Sequence, residues 1–342
     1  LLASCTTEPL QTAPNLVVAV ETEQVADDPD DPAIWIHPRD RSLSLVVGTN
    51  KVQAPAGALV VFDLQGRILQ TIGNLDRPNN VDIEQGVRLG TSVVDIVAVT
   101  ERNAHAVRLF TIDADSRRLT EAGTLKVFDG EAAEFAEPMG IAIYKRGDGA
   151  VFLVLGRKSG PATGYLWQYR LEPGPSLRLV RKFGDFSGSG EIEAVAVDDT
   201  LGYVYYADEG AGIRKYHADP DVPEAQHQLA FFGRSGYRGD REGIAIYART
   251  ETSGFIVSTD QIEGGSRYLL YRREGKAESP HDHDEVVGVL EGPADETDGI
   301  EVVSASLSPV FPHGLLAAMN SGPRTFLLFS WPRQWAGEGA SK

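Results

Sequence analysis

Asp31-Pro32-Ala33-Ile34-Trp35-Ile36 sets an acid at the head of a short run of alternating apolar residues. The arrangement returns five times. The later copies are Asn79-Asn80-Val81-Asp82-Ile83, Glu137-Pro138-Met139-Gly140-Ile141-Ala142-Ile143, Glu193-Ala194-Val195-Ala196-Val197, Glu242-Gly243-Ile244-Ala245-Ile246 and Asp298-Gly299-Ile300-Glu301-Val302. Successive copies lie 48, 58, 56, 49 and 56 residues apart. Period-2 apolar patterning reads as strand, and a strand pattern that recurs about every 50 residues matches one blade of a β-propeller. Between the copies come the further strands a blade needs, such as Leu45 to Thr49 and Ala58 to Phe62, with Asp63 to Gly66 as a turn. The same rhythm fills each later interval, and long amphipathic helical patterns are absent. One helical turn is expected near Ala132 to Phe135.

Six units over residues 16 to 335 predict an all-β fold, a six-bladed β-propeller. The segment from Leu16 to Val20 is left over at the front, and it would close the short last unit and remove a free sheet edge. Two β-sandwich domains would not explain the repeat. Residues 1–15 read as a tether and 16–342 as a single propeller domain. Leu2-Ala3-Ser4-Cys5 resembles a bacterial lipobox, with Thr6 to Pro14 as a polar tether behind it. The expectation is an extracytoplasmic protein, lipid-anchored through Cys5 to the bacterial envelope or secreted. The signal peptide would lie ahead of Leu1. Cys5 is the one cysteine, so neither an intrachain disulfide nor a thiolate metal cluster can form. A net charge of −17 repels nucleic acid and anionic membranes. A monomer is the default expectation.

In a propeller the first strand of every blade lines the central channel, so residues at matching places in the repeats meet at one mouth. Asp31, Asn79, Glu137, Glu193, Glu242 and Asp298 are therefore expected to form a ring of five carboxylates and one amide. Asp30, Asp82, Glu209 and Asp240 lie close by in sequence. So many carboxylates cannot all stay ionised without partners. A hard divalent cation resolves the repulsion, and an all-oxygen ligand set favours Ca2+.

Asp30-Asp31-Pro-Ala-Ile-Trp-Ile-His-Pro, Thr49-Asn50-Lys51, Asn79-Asn80-Val-Asp82-Ile, Asp240-Arg-Glu242-Gly-Ile-Ala-Ile-Tyr and Thr297-Asp298-Gly-Ile-Glu resemble segments of the β-propeller phytases. Their order and spacing match from about residue 18 to the end. That resemblance implies a calcium-dependent phosphomonoesterase acting on myo-inositol hexakisphosphate (phytate). It implies calcium ligation by Glu21, Asp30, Asp31, Asp82, Glu193, Glu209, Asp240, Glu242 and Asp298. Of these, Glu193, Glu209, Asp240, Glu242 and Asp298 would surround the catalytic metals. Phosphate contacts are implied for Lys51, Arg102 and Arg157, with Lys158 adjacent. Several positions depart from the family. Met139 stands where a tyrosine is common, Ala318-Met319-Asn320-Ser321 replaces oxygen-rich residues, and Arg324-Thr325-Phe326-Leu327 replaces a polar pattern.

A lactonase-like metal hydrolase and a non-catalytic calcium-stabilised binding propeller are the alternatives in other classes. His281-Asp282-His283-Asp284 reads as a solvated loop rather than a metal site, and His37 as a structural or rim residue. No Gly-x-Ser-x-Gly elbow is present, and Gly184 to Gly190 lacks the following helix a nucleotide loop needs. Trp331 and Trp335 are expected to pack where the blades close.

Overall fold

The computed structural model describes residues 15–336; Cys5 and the tether lie outside them. The described residues form six four-stranded antiparallel sheets, with three single-turn 3-10 helices, one of them Ala133–Phe135. The first blade runs outward from the channel as Pro29–Trp35, Leu45–Asn50, Gly57–Asp63 and Ile68–Leu75. The inner strands of the next five blades are Pro78–Leu89, Pro138–Lys145, Val195–Asp198, Ile244–Ala248 and Ile300–Val303. In the sixth blade the outer strand is Val18–Glu21, which pairs antiparallel with Thr325–Ser330. The segment left over at the front therefore closes the ring and leaves the last blade four strands wide.

Alternation explains the core. Strands such as Leu45–Asn50 and Gly57–Asp63 are buried along their whole length, with apolar side chains on both faces of the sheet, and neighbouring blades bury those faces against each other. Trp35, Val47 and Val61 of the first blade meet Val97, Val99 and Phe110 of the second. Phe152 and Val154 of the third meet Val204 and Tyr206 of the fourth. At the seam between the fifth and sixth blades, Trp331 stacks on Tyr247 at 4.0 Å and Trp335 meets Phe255 edge-on.

Strand register corrects the expected ring. Pro29, Pro78 and Pro138 pair with Asn50, Glu101 and Arg157, and the next pairs are Pro32↔Gly48, Val81↔Val99 and Ile141↔Leu155. In the other three blades the first pairs are Val195↔Tyr206, Ile244↔Ser258 and Ile300↔Ala318. Matching these positions aligns Asp30, Asn79, Met139, Glu193, Glu242 and Asp298. The first and third blades thus contribute Asp30 rather than Asp31, and Met139 rather than Glu137. A strand has period 2, so a one-residue slip sends the neighbouring side chain elsewhere. A bulge at the head of the first three inner strands hides that slip from a pattern search.

His283 corrects a second expectation. Its loop is not simply solvated, because the imidazole is 2% exposed. Nδ1 lies 2.8 Å from the Arg272 carbonyl, so it carries the proton, and Nε2 accepts from Lys215 Nζ at 3.0 Å. Lys215 also donates to the Pro280 carbonyl, with its Nζ 3.8 Å from the Tyr203 ring centre. Burial lowers the Lys215 ammonium to about 7. Burial, reinforced by the Lys215 charge, lowers His283 to about 4. A depressed histidine contributes stability above its unfolded value, and that stability is lost as pH falls through the folded value. Between pH 6.5 and 4 the His283 contribution amounts to roughly 3 kcal/mol. Denaturant titrations at several pH values should show the stability difference between wild type and His283→Gln moving against the wild type by roughly 3 kcal/mol as pH falls from 6.5 to 4, a comparison in which the carboxyl contributions common to both cancel.

Candidate metal and anion site at the channel mouth

The six ring positions crowd together. Asn79 Nδ2 donates to Asp30 Oδ2 at 3.0 Å and also to Glu193 Oε1, joining the first, second and fourth blades across the channel. Lys51 Nζ pairs with Asp30 and lies 3.2 Å from Asp298 Oδ2. Gln261 Nε2 donates to the other oxygen of Asp298. Burial alone would lower the Lys51 ammonium, but Asp30, Asp298 and Glu193 together hold it above the usual lysine value. The carboxyls shift the opposite way. Burial and then Asp30 push Glu193 well up and take Asp298 to about 8. Burial, then Glu209, Glu193 and Asp298, push Glu242 well up.

A second ring sits at the C-terminal ends of the second strands. Lys51, Arg102, Lys158, Glu209 and Gln261 each donate a backbone N–H to a carbonyl just ahead of an inner strand. The acceptors are Asp28, Arg77, Glu137, Glu191 and Asp240, at 2.6 to 3.3 Å. Ser321 completes the ring through Asp295. Three consecutive blades thus carry cations, and the next three carry Glu209, Gln261 and Ser321. The mouth has a cationic half and an acidic half.

Polar side chains one residue earlier in the second strands hold this geometry. Asn50 Oδ1 accepts from the Asp27 and Asp28 N–H groups, Glu101 from Asp76, and Asp208 from Ser187. Asp260 accepts from Arg238 and Gly239, and Asn320 from Asp295. All five are buried. In the third blade the equivalent is Arg157, which donates instead. Its guanidinium bonds to the Phe135, Tyr165 and Gly164 carbonyls and to Glu131. Lys158, not Arg157, shares the register of Lys51 and Arg102.

Other expected site residues separate from the ring. Asp31 and Asp82 line the channel below the mouth with Glu84, Asp199 and Glu301. Asp31 accepts from the Val81 N–H at 2.9 Å, and Asp82 accepts from Ile83 and Ile143. Burial raises Asp82 to about 7, and burial followed by Asp82 raises Glu301 to about 8. Glu21 lies on the outer strand of the sixth blade, where it accepts from Thr325. His37 is structural, with Nδ1 accepting from the Arg39 and Asp40 N–H groups. Glu191 escaped the sequence reading. One carboxylate oxygen each of Glu191, Glu193 and Glu209 lies within 4.8 Å of the other two. The spacing Glu191-x-Glu193 repeats Asp240-x-Glu242, and that signal was available.

The donor set suits a hard cation. Its ligands are oxygens alone, three of them already converged, and burial opposes their charge without one. Asn79 Oδ1 adds a buried acceptor without a partner.

The family profile described as Phytase matches residues 6–323. A 3-phytase of Bacillus subtilis (strain 168) is 27% identical over 310 residues, covering 88% of this chain and 77% of that protein. Among solved structures, a luciferin-regenerating enzyme superposes with a TM-score of 0.58 at 11% identity, covering 92% of this chain and 94% of its own. A Lactobacillus plantarum protein superposes with a TM-score of 0.56 at 12% identity, covering 90% and 81%. Likeness at such identities reports the propeller alone.

Raised carboxyl pKa values have a stability sign. Each such group favours folding below its unfolded pKa, and that contribution is lost as pH rises through the folded value, about 7 for Glu209 and about 8 for Asp298. Metal-free protein should therefore lose stability from pH 5 to 9. Glu242→Gln removes one of the repelling charges. Its melting temperature in chelator at pH 8 should exceed that of the wild type by a few degrees, measured by calorimetry.

Proposed function

This chain belongs to the phytase family, and on that footing we propose that it is a calcium-dependent phosphomonoesterase that releases inorganic phosphate from phytate. The observation that carries this reading is the divided mouth, with Lys51, Arg102 and Lys158 facing Glu191, Glu193, Glu209, Glu242 and Asp298. A polyphosphorylated substrate could not approach an acidic opening alone, nor could a purely cationic one assemble calcium there.

Glu191, Glu193, Glu209, Asp240, Glu242, Asp298 and Asp30 would hold the calcium ions. Once bound, calcium supplies the charge that neutralises phosphate oxygens and lowers the pKa of a water in its shell. The chain's own residues do the rest. Lys51 stays protonated through Asp30 and Asp298 and offers its ammonium to a phosphate oxygen. Arg102 offers a fork of N–H donors, held in place by its contact with Met139 Sδ. Lys158 reaches the acidic half through its pair with Glu191, so it is placed to bridge protein carboxylate and substrate. Asn79 keeps Asp30 and Glu193 at fixed separation. Met139 is fully buried in the ring and brings no proton donor to the phosphate, so the third blade contributes Lys158 alone. The chain is further proposed to work outside the cytoplasm, held to the envelope through Cys5.

Phosphate release from phytate should require calcium and stop in chelator. Glu242→Gln should lower kcat/KM by on the order of 100-fold with the fold retained by circular dichroism. Lactone cleavage without phosphate release would favour the lactonase-like alternative. Calcium-dependent stabilisation with neither activity would favour a binding propeller.

A further inference from the structure

Among the described residues, five arginines are buried: Arg102, Arg157, Arg181, Arg241 and Arg273. Four of them each donate to two or more oxygen acceptors. Arg157 has its carbonyls and Glu131, and Arg181 donates to Gln168, the Ala225 carbonyl and the His217 carbonyl. Arg241 reaches the Gly233 and Glu209 carbonyls, and Arg273 makes a two-pronged pair with Asp198. Arg102 differs. Its one recorded acceptor is the Met139 thioether, a weak one, and its Nε is buried without a partner.

The residue beside it repeats the anomaly. Arg77 is half-buried, and its Nε is likewise buried without a partner. Among the described residues its side chain makes no hydrogen bond or ion pair. The adjacent carboxylate is turned to other donors, because Asp76 Oδ1 accepts from the Ala54 N–H at 3.2 Å and from Asn103 Nδ2 at 2.9 Å. The backbone fixes where Arg77 stands. Its N–H donates to the Val52 carbonyl at 2.9 Å, and its carbonyl accepts from the Arg102 N–H at 3.1 Å. It is therefore stitched between Lys51-Val52 and Arg102, in the cationic half of the mouth. At the matching rim positions the other blades place Asp28, Glu137, Glu191 and Asp240.

We propose that Arg77 is a second anion-binding arginine of this mouth, placed beside Arg102 to take a phosphate oxygen of the substrate. The assignment rests on the phosphatase reading above and adds to it a residue that neither the motif nor the acidic ring points to. Two physical costs support it. An unmet buried donor costs about 1–3 kcal/mol, so an arginine with an unmet Nε and no other side-chain partner is sustained where a ligand supplies the acceptor; Arg108 and Arg267 also have an unmet Nε, but each pairs through Nη with an acid. Arg77 also holds a φ of 59°, which glycine would adopt without strain and a residue with a Cβ disfavours. What glycine would lack is the guanidinium, whose planar fork matches phosphate oxygens in pairs.

The test compares the wild type with Arg77→Gln and Arg77→Lys in the full chain. Arg77→Gln should raise KM for phytate about tenfold, equivalent to about 1.4 kcal/mol, with kcat changed far less. Arg77→Lys should fall between. A second readout needs no turnover. In chelator, millimolar inorganic phosphate should raise the melting temperature of the wild type and raise that of Arg77→Gln less. Without phosphate, Arg77→Gln should melt no lower than the wild type, because it removes an unsatisfied donor. An unchanged KM together with an unchanged phosphate response overturns the assignment. A lowered melting temperature with an unchanged phosphate response also overturns it, making Arg77 a structural residue. A wild type inactive on phytate would count against the phosphatase reading, while the phosphate-induced melting shift would still decide Arg77.

Discussion

Everything at the channel mouth depends on six buried polar side chains at one register of the second strands: Asn50, Glu101, Arg157, Asp208, Asp260 and Asn320. Each sits beside the loop that delivers the chain into an inner strand. Such a loop has backbone groups that turn inward, away from water, and they must be paired. In five blades a carboxylate or amide oxygen accepts those N–H groups, and three of the acids are themselves clamped by Arg108, Arg214 or Arg267 from the third strand. Breaking one such contact would leave an N–H buried and unmet, at about 1–3 kcal/mol. The ring residue lies only a few positions further along the chain, so its place is inherited from the pin. Arg157 shows that the constraint is on pairing rather than on residue type. It meets carbonyls instead of amides, and the loop before Pro138 is held by donors where the others are held by acceptors.

That frame lets the mouth hold charges that would otherwise disperse. A protein with net charge −17 has no shortage of acids, yet the ring gathers them where burial opposes ionisation. Lys51 answers two of them, Asp30 and Asp298, and Asn79 stands between Asp30 and Glu193. Glu242, Glu209 and Glu191 remain without a cation from the chain, apart from the Lys158 contact with Glu191. The imbalance is local and directional. Protein cations occupy the first three blades and unanswered carboxylates the fourth and fifth, so an anionic ligand and metal ions would approach from opposite sides of one opening.

The six-bladed fold was legible because the repeat reports on a period rather than on any single residue. The closing strand was legible for the same reason, since one segment remained unpaired after six units were counted. Register was less legible. Asp30 and Asp31 are adjacent acids, and only the pairing of Pro29 with Asn50 shows which one joins the ring. Glu137 looked like a ring acid because it precedes a proline and an apolar run, whereas the bulge after Pro138 hands the position to Met139. Arg157 and Lys158 pose the same ambiguity in the second strand. His283 hid for a different reason: its loop is rich in charge, and nothing local says that a lysine from the neighbouring blade will cover one imidazole.

These cases share one cause. In a propeller a side chain's role is set by its place along a strand and by the blade it belongs to, and sequence spacing measures the first only to within a residue. A slip of one residue costs little in pattern but moves a side chain from mouth to channel wall, as Asp31 shows, or from the rim of the mouth to a structural pin, as Arg157 shows. Arg77 is the converse. Its neighbours Asp76 and Pro78 mark it as a turn residue, and its basic character among acidic counterparts becomes visible only once the blades are superposed by register. The functional vocabulary of this fold therefore lies in departures from its own sixfold repeat: an amide at Asn79, a thioether at Met139, a donor at Arg157 and a cation at Arg77. Each departure leaves the frame intact because the pins, not the ring residues, carry the loops.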